Sequence, residues 1–319
     1  MIEPIDKKAP QSSFDRLWFD EKLENCRVFL DKEITPPKPI ISIGKHLYKG
    51  EYKDTIVMTK GSISVISAPS KSKKSFFKSQ LCASYIGGQS TNFFPSIKSH
   101  RKTEELIIDI DTEQSAYYAQ RTFKRVEYIV GGPYSKYFAF QVVELSVEER
   151  IIFIEKILEK YREELALVFI DGIADLVNDV NNLEQSTQIA NILLKWANQY
   201  NIHICTIIHN VYGARKPTGH LGSAIVKKAE SVFSLIPDEN NSNIIEVEHL
   251  YARGRPFDNF KFVLNENDAM IYELDFKDEI ASTTNFTNNP PISTEVKPPE
   301  KPLPKVSIKD AFEENTLPF

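Results

Sequence analysis

Between about residues 55 and 275, short apolar runs alternate with amphipathic stretches, and this alternation limits the possible folds more than any other feature of the chain. The runs are Ile63 to Ser67, Leu106 to Ile110, Phe138 to Val143, Leu165 to Ile170 and Ile202 to Ile208. Each is rich in residues that favour strands and is bounded by turn formers. Helical patterns begin near Lys74, Glu113, Ser146 and Leu183, and Ser146 with Glu149 matches a capping box. Strands alternating with helices imply βαβ units and a mostly parallel sheet flanked by helices, an α/β fold. After Ile208 the pattern shifts to shorter pieces, Ser231 to Ile236, Ile244 to His249, Phe260 to Leu264 and Met270 to Leu274, which predict an antiparallel C-terminal extension of the sheet.

The ends of the chain read differently. Residues 13 to 31 place Phe14, Leu17, Trp18, Leu23, Phe29 and Leu30 near helical spacing, and Thr35-Pro36-Pro37-Lys38-Pro39 breaks the pattern. From about Ala281 onward, Ser, Thr, Asn, Pro and Lys dominate, too polar a mixture to bury a core. The expected organisation is therefore an N-terminal helix and Pro-rich linker over 1–38, one folded domain over 39–280, and a disordered tail over 281–319.

Composition excludes several classes. No stretch approaches the ~18 continuous apolar residues of a membrane span, and the opening MIEPIDKKAP lacks the order of a secretory signal. The expectation is a cytoplasmic protein with no membrane contact. Cys26, Cys82 and Cys205 lack metal-like spacing and read as reduced thiols. A net charge of -5 argues against a broadly basic surface, although positive loops facing a pore remain compatible with nucleic acid.

The first apolar run leads into Ala68-Pro69-Ser70-Lys71-Ser72-Lys73-Lys74-Ser75-Phe76, and then into an apolar helix. Strand, tight loop, Lys-Ser and helix start are the order of a Walker A phosphate loop, GxxxxGK[ST]. Lys74-Ser75 match its end, but Ala68 and Lys73 replace its two glycines. Backbone N–H groups at the helix start suit phosphate oxygens, Lys74 suits the β and γ charges, and the Ser75 hydroxyl suits Mg²⁺. On its own the segment also fits a lysine- and serine-rich surface loop.

Two further runs end in carboxylates. Leu165 to Ile170 ends in Asp171-Gly172, as a Walker B strand does, and one aspartate with phosphate oxygens suits Mg²⁺. Ile107 to Ile110 leads to Asp111-Thr112-Glu113, where Glu113 is placed to orient an attacking water. Asp111 and Glu113 equally suit a helix cap and a first-turn dipole partner. A third run ends in His209-Asn210, polar groups placed to sense a γ-phosphate. Several polar strand ends around one phosphate loop make a site.

Taken together, these segments resemble RecA-like P-loop ATPases, and within them the RepA/DnaB-like hexameric ATPases of plasmids, phages and mobile elements. The resemblance covers roughly residues 39 to 275 and is strongest over VFIDGIADLVNDVNNLEQSTQIANILLKWANQYNIHICTIIHN. It implies a RecA-like P-loop NTPase core with ATP and Mg²⁺ as cofactors, and homo-oligomers such as hexamers acting on single-stranded DNA. By resemblance, the segment from Thr218 to Glu230 approaches DNA or a neighbouring subunit, and Gly213, Arg215, Lys216 and Gly219 suit a mobile basic loop. Arg253 and Arg255 are the arginine-finger positions the resemblance implies. The N-terminal helix suits a segment packing on the next subunit.

The final Asp310 to Phe319, acidic and ending Leu-Pro-Phe, resembles the partner-binding tip of single-stranded DNA-binding proteins and suggests a replication partner. The function expected is an ATP-hydrolysing motor or loader on DNA, in replication or mobilisation of an element. The alternative is a nucleotide-gated scaffold with little hydrolysis. The choice turns on the Ala68 and Lys73 substitutions weighed against the retained Glu113 and Asp171, and the expected site comprises phosphate-loop residues 68 to 76 with Glu113, Asp171, His209, Arg253 and Arg255.

Overall fold

The computed structural model describes residues 13–211, 216–265 and 270–274. Two compact units divide the chain, Met1–Pro36 and Pro37–Phe319. The first holds helix α1 (Ser13–Cys26), whose Leu17, Trp18, Phe19 and Leu23 side chains are exposed. The expected tail over 281–319 lies outside the described residues, as does Asp310 to Phe319. No helix among the described residues is long and apolar enough to cross a membrane.

The second unit opens with β1 (Pro39–Tyr48) and β2 (Glu51–Thr59), an antiparallel hairpin that the sequence pattern did not reveal. Its tip is Lys49-Gly50, both at positive φ (51° and 84°), the geometry a two-residue hairpin turn requires. The outer half of β1 is mostly exposed, so its apolar residues do not alternate along the whole strand.

There follow β3 (Ile63–Ala68), α2 (Lys74–Ile86), β4 (Ile97–Ser99), β5 (Leu106–Asp111), α3 (Ala116–Val130) and β6 (Tyr137–Gln141). Then come α4 (Val147–Tyr161), β7 (Leu165–Asp171), α5 (Leu183–Gln199), β8 (His203–His209), α6 (Gly219–Val226) and β9 (Ser231–Pro237). The last strands are β10 (Ile244–Ala252), β11 (Phe260–Asn265) and β12 (Met270–Leu274).

Strand order in the main sheet is β12-β11-β10-β9-β3-β8-β7-β5-β6, while β2-β1-β4 form a small second sheet. Six neighbouring strands, β9 to β6 in that order, run parallel. The antiparallel extension is real but one strand shorter than the sequence suggested, because β9 pairs parallel with β3 and only β10, β11 and β12 are antiparallel. Helix α6 supplies the crossover that permits this, and its first turn falls at the end of the stretch up to Gly222 expected to be a basic loop.

Both faces of the sheet are covered. Phe77, Leu81, Phe94, Val126, Phe233 and Phe262 join one core with the α2 and α3 face, and the Phe77 and Phe262 rings stack at 5.8 Å. Ile154, Leu158, Ile189, Leu193, Trp196 and Leu221 from α4, α5 and α6 make the other. Within β7, Phe169 belongs to the first core while Val168 and Ile170 belong to the second, the alternation of a strand buried on both sides. The capping box of α4 is formed: Glu149 N–H donates to Ser146 Oγ, and Ser146 N–H to the Glu149 carboxylate. Cys82 and Cys205 are buried free thiols.

Candidate nucleotide site

Parallel pairing brings the polar strand ends to one level. Ala68 of β3 pairs with His209 of β8, and Asp111 of β5 with Asp171 of β7. The carboxyl edge of the parallel strands thus gathers the loop after β3, Glu113 just beyond β5, Asp171 and His209. A parallel sheet binds ligands at this edge.

The loop after β3 holds the shape of a phosphate loop without its glycines. Ala68 is a fully buried strand residue, and its methyl is accommodated in the core. Lys73, immediately before α2, adopts φ 60° and ψ 25°, the left-handed conformation that glycine enters without steric cost. Lys71 also has positive φ, 63°. Pro69, Ser70 and Lys71 are exposed, while Ser72 is buried with its hydroxyl unpartnered. Lys74 and Ser75 open α2, where N–H groups have no carbonyl within the helix to bond. Phe76 is turned to packing instead: Arg125 lies 3.7 Å over its ring, and its N–H donates to the Lys73 carbonyl.

Lys74 is buried, and its ammonium donates to the Pro69 carbonyl at 3.1 Å and to His209 Nδ1 at 2.9 Å. Burial lowers its pKa, partly offset by Asp171 and Glu113. His209 Nε2 stands 3.7 Å from Glu113 Oε1. Glu113 is held below the usual carboxylate range chiefly by His209. A line of polar groups therefore runs from the loop lysine through His209 to Glu113.

Gly172 makes room for that glutamate. Its φ is 148°, and a Cβ there would fall 2.2 Å from Glu113 Oε1. Asp111 caps no helix, since α3 begins at Ala116 with Ser115 as its N-cap and Glu113 stands before its first turn; instead Asp111 accepts from the N–H groups of Glu113 (3.0 Å) and Gln114 (2.7 Å), which fixes the turn carrying Glu113. Burial pushes Asp171 up to about 6 despite the Lys78 ammonium nearby, and its Oδ2 is buried with no hydrogen-bond donor.

Sequence reasoning missed Lys78, Asp109 and Tyr137. Lys78 is fully buried, donates to Asp109 Oδ1 at 2.8 Å and lies 3.6 Å from Asp171 Oδ2. Burial acts to strip its proton, but Asp109 and Asp171 outweigh that and hold its pKa above the ordinary lysine value. The available signal was one charge at a core position of each element, Lys78 in an apolar helix and Asp109 in an apolar strand.

A family model described as an AAA domain matches residues 31–211, more than half of the chain. The chain belongs to the AAA domain family. The matched region of this AAA domain contains the loop, Glu113, Asp171 and His209. Among solved structures, an ATPase domain shares its fold, with a TM-score of 0.51 at 13% identity over 68% of this chain and 86% of that one. The fold is that of a RecA-like P-loop ATPase, with its mostly parallel sheet, flanking helices and antiparallel C-terminal strands. No curated protein matches the AAA domain chain.

Two of the expected residues, beyond the matched region, stand away from the loop. Ala252 pairs with Ser231, which is level with Ser64 at the opposite edge of β3, so Arg253 and Arg255 leave the sheet far from Ala68. Arg253 donates to the Lys228 carbonyl at 3.1 Å, and Arg255 lies 5.7 Å over the Tyr48 ring. The expected mobile loop is also smaller than the sequence implied. Gly213 and Arg215 lie outside the described residues, but Val211 N–H donates to Lys216 O, and Asn210 bridges Pro217. Gly219 begins α6 at φ 68°, with the Val180 carbonyl only 2.6 Å from where a Cβ would be. Leu221 N–H bonds the same carbonyl, so this glycine segment is packed onto the loop after β7.

Proposed function

We propose that the protein is an ATP-binding, ATP-hydrolysing motor or loader that acts on single-stranded DNA as a homo-oligomer. The RepA/DnaB-like group is the branch it belongs to on this reading, and replication or mobilisation of an element is its setting. Residues 39–280 are the ATPase domain, 1–38 the helix and linker joining neighbours, and 281–319 a tail for a partner. The observation that carries the reading is the convergence of Lys74, His209, Glu113 and Asp171 on one sheet edge around the loop.

The residues present suit Mg²⁺-nucleotide. Asp171 Oδ2 is a buried acceptor with no donor, the state a cation relieves, and Ser72 Oγ is a buried hydroxyl without a partner beside the loop. Ser75 and Asp171 are the metal-holding pair in this proposal. Mg²⁺, when bound, would supply positive charge that neutralises the phosphates.

In the proposed cycle the Lys74 ammonium exchanges the Pro69 carbonyl and His209 Nδ1 for phosphate oxygens. His209, released on that side, reports the exchange to Glu113 and to the segment after β8, where Thr218 holds the His209 carbonyl through its N–H and hydroxyl. Glu113 orients the attacking water, a task its depressed pKa suits because it remains an ionised acceptor. Arg253 and Arg255, far from this chain's own loop, are kept as arginine fingers acting on a neighbour.

The scaffold alternative drew its weight from the missing glycines, and that weight falls because Lys73 adopts the left-handed conformation itself. The test is ATP turnover with and without single-stranded DNA at low salt, where phosphate contacts are strong. Turnover stimulated by DNA and reduced about 100-fold or more in Glu113→Gln is expected, the scale at which a positioned base contributes. Nucleotide binding with no turnover in the wild type would move the assignment to the scaffold.

A further inference from the structure

The core behind the phosphate loop holds a cation that the proposed hydrolysis does not use. Lys78 lies one turn after Lys74, among the buried apolar residues Phe77, Leu81 and Cys82. Its ammonium faces two carboxylates on adjacent strands, Asp109 of β5 and Asp171 of β7. It is bonded to the first at 2.8 Å and stands 3.6 Å from the second, beyond normal hydrogen-bond length. Asp109 is itself fixed, because Tyr137 on β6 donates its hydroxyl to Asp109 Oδ2 at 2.8 Å. All three of Lys78, Asp109 and Asp171 are at least nine-tenths buried, so water does not blunt the contest between the two anions.

An ammonium shared in this way affects any metal that needs Asp171. A lysine seated fully on that carboxylate would occupy an oxygen and repel a divalent cation. Here the inner aspartate draws it back, and Asp171 Oδ2 is left with no donor. We propose that Lys78 is a built-in competitor for the metal carboxylate Asp171, and that Asp109, braced by Tyr137, is the positioning residue that keeps its ammonium away. The inference rests on the reading of Asp171 as a Mg²⁺ ligand given above.

The experiment is equilibrium binding of a fluorescent ATP analogue to the full chain, titrated with Mg²⁺ and repeated in chelator. Asp109→Asn keeps an acceptor for Tyr137 and Lys78 but removes the charge that draws the ammonium inward. The Mg²⁺ concentration for half-maximal binding should then rise about tenfold or more, the effect of bringing a unit charge from 3.6 Å to hydrogen-bond contact in a protein-like dielectric. Binding in chelator should be unchanged. Adding Lys78→Met to Asp109→Asn removes the competitor and leaves Asp171 as the one buried charge of the three, which Mg²⁺ itself would neutralise, and should return the midpoint to about the wild-type value. Tyr137→Phe loosens the same tether more gently and should raise the midpoint a few-fold, a second route should Asp109→Asn fail to fold.

A wild-type midpoint in Asp109→Asn, or in a folded Tyr137→Phe where Asp109→Asn cannot be isolated, overturns the proposal. So does a double variant as impaired as Asp109→Asn, since that marks the pair as structural. A wild type that binds no nucleotide at any Mg²⁺ concentration overturns the proposed function, and this inference with it.

Discussion

At Lys73 the chain accepts a local cost that glycine would avoid. A left-handed L-residue is disfavoured by about 1–2 kcal/mol, while glycine gives back part of that through its larger unfolded-state entropy. Lys73→Gly should therefore raise stability by about 0.5–1 kcal/mol, read as a higher urea midpoint, and an unchanged or lower midpoint would show that the lysine side chain repays its strain. A second residue, His203, sets an acid limit. It is fully buried, bonded to the Thr59 carbonyl and Ser64 hydroxyl at 2.8 Å each, and burial lowers its pKa to about 4. The unfolded chain binds this proton near pH 6.5, so the stability His203 contributes is complete above that pH and is lost as pH falls toward 4, by about 3 kcal/mol. Asp171 works in the opposite sense, because its raised pKa means that its burden lifts as pH falls through about 6. The difference between wild type and His203→Gln isolates the histidine: stability measured from pH 7.5 to 4 should fall more steeply in the wild type, and parallel curves would refute the assignment.

Among the elements, α4 shows how local chemistry sets a boundary. Its start is closed by reciprocal bonds between Ser146 and Glu149, and Arg150 reaches from its first turn to the carbonyls of Val142, Val143 and Asp175. Ser146→Ala should cost about 1 kcal/mol by urea denaturation, with no change in nucleotide affinity because the cap lies away from the loop. The elements most legible in the sequence were those with such signals, or with uninterrupted apolar runs such as β7 and β8. The β1–β2 hairpin was illegible because half of β1 is exposed and its turn is Lys-Gly, not Asn-Gly. The pairing of β9 was misread because strand length and turns do not encode direction. That depended on α6, whose glycines looked like loop residues until their packing against Val180 and Pro217 was seen.

For the whole molecule, the sheet's topology turns separate motifs into one site. Strand ends far apart in sequence, at 68, 111, 171 and 209, meet because β3, β8, β7 and β5 are parallel neighbours. The sequence carried the polar strand ends but not the partnership behind them. Lys78 and Asp109 are single charges in apolar elements, and only the fold shows that they face each other and Asp171. It also carried no sign that Arg253 and Arg255 would leave from the opposite edge, since that follows from the antiparallel course of β10. The central claim is that the loop from Ala68 to Ser75 holds nucleotide phosphates through Lys74. Its most direct test is equilibrium binding of ATP with Mg²⁺ to wild type and Lys74→Ala. The account predicts saturable binding by the wild type and a loss of about 10- to 100-fold in the variant, since a charged hydrogen-bond donor contributes about 1.5–3 kcal/mol. Equal affinity in the two proteins, or no binding by either, would contradict it.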